Sequence, residues 1–395
     1  MSALLKDRRA IALMLAASLT VMSNAIISPS LTGIEAHFSD NPNAELLTRM
    51  LVAAPSLLVA IVAPFAGMMA DRFGRRRQLL IGVALFGVCG TAGIWLPSLE
   101  AIFVSRLILG IGVAMMMTAV TALVGDYFQG ELRARFMGMQ IAAMNFGGLV
   151  LIALSGGLAG VDAMLPFLLY GVAILYLPFL IFALDEPSKA SRDAAAHAPG
   201  GEGAQGWVGL LIAAVVLSGI TFLTFYILPT QAAYFLPLIG HPEPAAAAML
   251  MVGVTFAAGV VSLVYGRLRG ILGRARTLAL GFSVAALGFL VMGFSFHLWI
   301  AAVGALCVGG GAGLIMPTLM GVALDLAPAA RRGMAAGSVS MAIFLGQFLS
   351  PLFSLPLVNR LGYFGTFEVY CAILAICALI SLVIFRERRG FALQF

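Results

Sequence analysis

An all-α membrane protein is what this sequence predicts, with twelve transmembrane helices in two parallel-repeat six-helix halves. Three observations point there: apolar stretches long enough to span a bilayer, a one-sided distribution of lysine and arginine, and an internal repeat that needs no gap. Composition sets the class. Of 395 residues, 62% are apolar, 10% are charged and 45 are glycine. A soluble domain carries charge on about a quarter of its residues to keep a polar skin. A cytosolic enzyme, a disordered chain and a nucleic-acid binder are therefore excluded, although the net charge is +6. The expected partner is a lipid bilayer, and no nucleic acid.

About 20 mostly apolar residues cross ~30 Å of hydrocarbon as a helix. Twelve stretches qualify in order: 10–31, 47–69, 78–96, 100–124, 134–158, 164–184, 207–234, 245–265, 277–296, 299–324, 334–357 and 364–385. The start, MSALLKDRRA, leads into an apolar run without a cleavage-site pattern, so it reads as a retained first span rather than a signal peptide. Cys89, Cys307, Cys371 and Cys377 lie inside apolar runs and read as small buried hydrophobes, with no disulfide framework, metal cluster or redox role.

Orientation follows from the basic residues. With the N-terminus in the cytoplasm, all lysines and arginines except Arg49, Arg106 and Arg360 fall in internal segments, which places both termini inside. The polar stretch 185–206 separates six spans from six and reads as a cytoplasmic tether. The expected organisation is an N-terminal half 1–184, a linker 185–206 and a C-terminal half 207–395.

Sliding the second half back by 199 positions superposes its punctuation on the first. Gly67 meets Gly266, Gly74 meets Gly273, Arg75 meets Arg274, Gly110 meets Gly309, Gly112 meets Gly311, and Asp126 meets Asp325. Charged loop pairs at the same shift argue for duplication rather than coincidence among glycines. Parallel six-span repeats are a transporter architecture, with a substrate site near the bilayer midplane.

The segment GMMADRFGRRR, Gly67 to Arg77, joins the second and third spans. It resembles the loop signature of the major facilitator superfamily, and the twelve-span layout extends that resemblance over essentially the whole chain. Arg106 with Gly110 and Gly112 resembles a pattern of the superfamily's drug/proton antiporter branch, and TRMLVAAPSLLVAIVAPFAG and ALVGDYFQGELRARFMGMQ look like bacterial efflux permeases of that branch. On the residues alone, Gly67 and Gly74 would permit close helix approach and a tight turn. Asp71 could face the positive end of a neighbouring helix and pair with arginine. The resemblance implies a cytoplasmic latch of Asp71, Arg75 and Asp126, with the eleventh span supplying the helix end. The plainer reading is that Arg72 and Arg75 to Arg77 only retain the loop in the cytoplasm. Gly270 replaces Asp71 in the second half, so the latch should be asymmetric.

Arg106 is the ionisable side chain set deep in a span, where an unpaired arginine costs at least ~2.5–3.5 kcal/mol. Two roles are open for it: bonding to helix-end carbonyls, or lining the cavity, where the resemblance associates this arginine with proton coupling. No acid sits at mid-membrane, and Ile152 and Ala153 stand where the branch typically has Gly-Pro in the fifth span. Proton exchange could use Glu35, Glu45, Asp126 or the surroundings of Arg106. Arg49 either pairs with Glu45 at a span edge or guards a vestibule for an anion.

In this fold the first, fourth, seventh and tenth spans usually line the cavity. Candidate substrate contacts are Asn24, Met116, Gln140, Asn145, Phe225, Tyr226, Gln231 and Gln347, a mix of aromatic area, adaptable methionine and orienting amides that suits a hydrophobic organic molecule. Interhelical hydrogen bonds would satisfy the amides equally well. No phosphate loop, H-E-x-x-H or Cys/His ligand spacing is present, so no enzyme activity, cofactor or metal is expected. The resulting expectation is a secondary transporter of the inner membrane, acting as a monomer and exporting a small organic compound against protons. An uptake symporter or facilitator, and a non-transporting receptor that keeps the fold, are the alternatives.

Overall fold

The computed structural model describes residues 4–186, 206–328 and 331–386, and within helices it leaves the side chains of Asn24 and Asp71, among others, undescribed. The described residues form helices α1 (Arg8–Ala25), α2 (Leu31–His37), α3 (Ala44–Phe73), α4 (Arg75–Gly90), α5 (Leu99–Tyr127), α6 (Gly130–Ala159), α7 (Val172–Ala183), α8 (Trp207–Phe225), α9 (Ile227–Phe235), α10 (Pro244–Gly293), α11 (Leu298–Leu326) and α12 (Arg332–Ile384). Nine helical stretches among them are long and apolar enough to cross a membrane. Two of these, α10 and α12, are each divided by a non-helical glycine, Gly273 and Gly362. The 18-residue α1 adds a further apolar stretch.

The repeat is visible in the backbone. Gly74 separates α3 from α4 with φ +100°, and Gly273, its partner at the 199 shift, breaks α10 with φ +74°. Only glycine reaches that region without a Cβ penalty, so the same sharp turn is written into both halves at the same place. Close helix contact recurs too. A Cβ on Gly110 would overlap the Pro55 carbonyl, and one on Gly309 would overlap that of Val254, the residue matching Pro55. Gly112 likewise lies against Gly82, and Gly311 against Gly281. Small residues draw backbones together where lipid supplies no hydrophobic drive.

The chain divides into two compact units. The first comprises Met1–Pro199 with Tyr226–Val252 and Gln347–Leu352; the second comprises Gly200–Phe225, Gly253–Gly346 and Phe353–Phe395. Segments of the second repeat thus belong to the same unit as the whole first repeat. In the first unit, α5 packs on α3 and α4, and α1 on α6. The second unit holds an apolar cluster of Leu211, Ala323, Ala327, Ala335 and Val339.

Candidate functional site

The Gly74 turn organises the first group of charged side chains. It starts α4 with free amides, and a helix N-terminus attracts negative charge. Glu186 supplies it: Arg75 N–H donates to Oε1 at 2.8 Å and Arg76 N–H to Oε2 at 3.0 Å. Arg76 returns the favour at the end of α7, donating from Nε to the Leu184 carbonyl at 2.7 Å and from Nη2 to that of Ile181 at 2.8 Å. Each helix end therefore caps the other.

Arg75 Nη1 donates to Asp126 Oδ1 at 2.5 Å and to the Ala122 carbonyl at 3.3 Å. The Asp126 side chain is wholly buried, and its Oδ2 has no partner among the described residues. Arg72 is exposed and stacks on Phe73 at 5.6 Å. No described atom lies within 4 Å of a Cβ placed on Gly67, so close helix approach is not what that glycine supplies here. The Asp71 side chain lies outside the described residues. Next to the pair, Arg9 Nη2 donates to Asp185 Oδ2 at 2.7 Å, and the Tyr127 hydroxyl donates to the Asp185 carbonyl. Hydrogen bonding from the Arg9 guanidinium holds the Asp185 carboxyl below the usual carboxylate range. Asp185 and Glu186, read in the sequence as the start of a tether, are fastened to the bundle.

Deep in the same unit, Arg106 is fully buried. Pro55, inside α3, has no N–H to give the Leu51 carbonyl four residues earlier. Arg106 Nε donates to that oxygen at 3.2 Å. Its Nη2 donates to the Ser23 carbonyl at the end of α1, which also accepts from Tyr170 Oη at 3.0 Å. The guanidinium lies 4.9 Å from the Tyr170 ring centroid. These are carbonyl bonds of the kind the first role expects, and Nη1, also buried, has no partner among the described residues. Gly110, one turn along α5, brings that helix onto the same proline.

At the far ends of these helices, Tyr234 Oη donates to Glu35 Oε2 at 2.6 Å. The Arg49 guanidinium covers the Tyr234 ring at 4.3 Å and pairs with Glu45 at 2.5 Å. Ser28 Oγ donates to the Pro229 carbonyl at 2.6 Å.

The remaining substrate candidates scatter. Ser56 Oγ donates to Gln347 Oε1 at 2.6 Å, joining α3 to α12 within the first unit. Gln231 and Tyr226 are buried, and Gln140 and Asn145 are half-buried. Met116 is buried against Gly82. Phe225 stacks edge-on with Phe222 at 5.9 Å and, with Thr221 and Thr224, lines a crevice of about 10 Å³ in the second unit. The Asn24 side chain lies outside the described residues. Sequence reasoning missed Glu186, Pro55 and Tyr170; only Pro55 carried a signal, since a proline inside an apolar span announces an orphan carbonyl. Among the described residues no group of three or more His, Cys, Asp or Glu could hold a metal.

Residues 13–242 and 232–393 match the family model described as Major Facilitator Superfamily. Multidrug resistance protein 1 of Bacillus subtilis is 33% identical over 140 residues, 35% of this chain and 36% of that protein. Quinolone resistance protein NorA of Staphylococcus aureus is 30% identical over 143 residues, 36% of this chain and 37% of its own length. The chain thus aligns with little more than a third of these curated relatives. A crystal structure of a D-xylose-proton symporter superposes with a TM-score of 0.80 at 18% identity, covering 97% of this chain and 99% of that one. A POT family transporter in complex with 5-aminolevulinic acid gives 0.78 at 14% identity, with 96% of each chain covered.

Proposed function

The chain belongs to the major facilitator superfamily, and from that premise we propose that it is a secondary transporter driving a small organic compound out of the cell in exchange for protons. The identity to Multidrug resistance protein 1 carries this reading. It is supported by the Arg75–Asp126 pair, formed beside the loop that the sequence singles out. Charge exchange of this kind draws ~2.3 kcal/mol per proton from each 100 mV of membrane potential. The two six-helix halves, 1–184 and 207–395, rock about a central site, linked by 185–206. The protein works as a monomer in the inner membrane with both termini in the cytoplasm.

In this reading Asp71, Arg75 and Asp126, with Gly67, Arg72 and Gly74 around them, form the latch that closes the cytoplasmic side. Arg106 is a positioning residue: its Nε and Nη2 donate to backbone carbonyls of α3 and α1, while the buried Nη1 has no partner among the described residues. Gln231, Gln347, Asn145, Gln140, Phe225 and Tyr226 remain the substrate contacts to test, with Asn24 and Met116.

Reconstituted proteoliposomes test the proposal with a permanently charged aromatic cation, which a pH gradient alone does not redistribute. Gradient-driven movement that stops when the gradient is collapsed is expected. Flux that ignores the gradient would instead favour a facilitator, a reading supported by the absence of Gly-Pro at Ile152–Ala153. No flux of any compound found altered in a gene-deletion screen would favour a receptor.

A further inference from the structure

Glu35 and Tyr234 are 199 positions apart, the shift that relates the repeats, and they are hydrogen-bonded to each other. Equivalent positions of two copies meet where the axis relating the copies passes. Of the carboxylates in the first unit, Glu35 is thereby placed to report on contact between the repeats, because one end of its bond is in each. The pair also borders water: with Thr32, Ala36, Ser39 and Ala44, it lines an open cavity of about 440 Å³.

The surroundings leave Glu35 without an ion pair among the described residues. Arg49, on α3, lies over the Tyr234 ring, but its nearest acid is Glu45 on its own helix. His37 lies two residues on in α2, and Asp40 follows that helix. The charged and titratable groups along its own segment and on the elements packed against α2 are thus Tyr234 from α9, Arg49 and Glu45 from α3, Asp162 next to Ala163, which abuts Gly33, and His37 and Asp40 after Glu35. What holds Glu35 is the Tyr234 hydroxyl.

We propose that Glu35 is a proton-binding site and that its ionised form latches α9 to α2. This deepens, and rests on, the proton-coupled reading above. A hydroxyl bonded to a carboxylate is roughly twice as strong as one bonded to a neutral group. A proton arriving from water in the cavity binds a Glu35 oxygen, removes the charge, and leaves a neutral contact that the repeats can break. No other species is consumed. Proton arrival at this end of the bundle thereby frees α9 to move away from α2.

Spin labels at Asp40→Cys and Leu238→Cys, both exposed positions in the first unit, read the separation in nanodiscs. The native cysteines are replaced and transport flux confirms that the background folds. On acidification from neutral pH, the wild-type distance distribution shifts to longer separations. Glu35→Gln and Glu35→Ala hold the longer distances before and after acidification, and Tyr234→Phe loses most of the shift. A wild type with no shift, or a Glu35→Gln variant that keeps it, overturns the proposal. Flux in the same preparations separates the two readings. A pH-dependent distance without gradient-driven flux sinks the antiport reading and leaves the proton site standing. Gradient-driven flux with Glu35→Gln distances that follow the wild type sinks the proton site and leaves antiport standing.

Discussion

Arg106 donates through Nε to the carbonyl of Leu51, the oxygen that Pro55 leaves without its helical donor. The pairing is specific to the first repeat. At the 199 shift, Val254 replaces Pro55 and Ala305 replaces Arg106, so where the proline is missing the arginine is missing too. Gly110 and Gly309 keep their close contact in both repeats, so the helix crossing does not depend on the arginine. The arginine belongs to the proline.

A double-mutant cycle tests this coupling. Arg106→Met leaves buried carbonyls with too few donors and should cost about 1–3 kcal/mol, read as a lower thermal midpoint in detergent. Pro55→Ala restores an N–H to Leu51. On that background Arg106→Met should cost less, with a coupling energy of about 0.5–3 kcal/mol. Strict additivity would show that Arg106 answers to something other than the proline.

Glycine substitutions separate packing from conformational roles. Gly110→Ala and Gly309→Ala place a methyl group into a neighbouring helix backbone, and overpacking of that kind costs about 1–3 kcal/mol or more. Both should lower the yield and thermal midpoint of folded protein. Gly67→Ala meets open space and should leave stability unchanged. If it nevertheless abolishes transport while the folded protein is intact, Gly67 acts in a conformation other than this one.

The buried Asp126 carboxylate makes its pairing with Arg75 asymmetric in cost. Removing one partner of a buried pair costs about 3–5 kcal/mol because the other charge is stranded. Arg75→Met should therefore destabilise strongly, whereas the double variant Arg75→Met, Asp126→Leu should recover part of the loss. A double variant no more stable than the single one would mean that Asp126 is not the group stranded.

How far these features can be read from the sequence depends on the range of the interaction. The Gly74 and Gly273 turns were legible because a positive φ demands glycine locally and the repeat supplied a second copy. Arg75 and Asp126 were legible only through resemblance, since 51 residues separate them. Glu186 was not, because whether a polar stretch at a span end floats free or caps a distant helix depends on where that helix ends in space. Arg106 posed the hardest case. Burial predicts that an arginine must find acceptors, but carbonyls and carboxylates satisfy that demand alike, and composition cannot choose between them. The same holds for Glu35, whose partner is set by the pairing of the repeats.

Asp185 carries a pH signature that distinguishes a fastened chain from a free tether. The hydrogen bond from Arg9 depresses the folded-state value of its carboxyl, so its stabilising contribution is present above the unfolded-state value of about 3.9 and is lost as pH falls through the lower folded value. Asp185→Asn should lower the thermal midpoint slightly at neutral pH, and that difference should shrink as pH falls from the unfolded-state value of about 3.9 through the lower folded value. The group is exposed, so added salt should also narrow the gap. Glu186→Ala should behave otherwise. Its loss uncaps α4 at a cost of about 0.5–2 kcal/mol, and Glu186→Gln, which keeps an oxygen toward the Arg75 and Arg76 amides, should recover much of it. If neither variant changes the midpoint at any pH, these two residues do not hold the end of α7 to the start of α4, and the tether begins where the sequence first placed it.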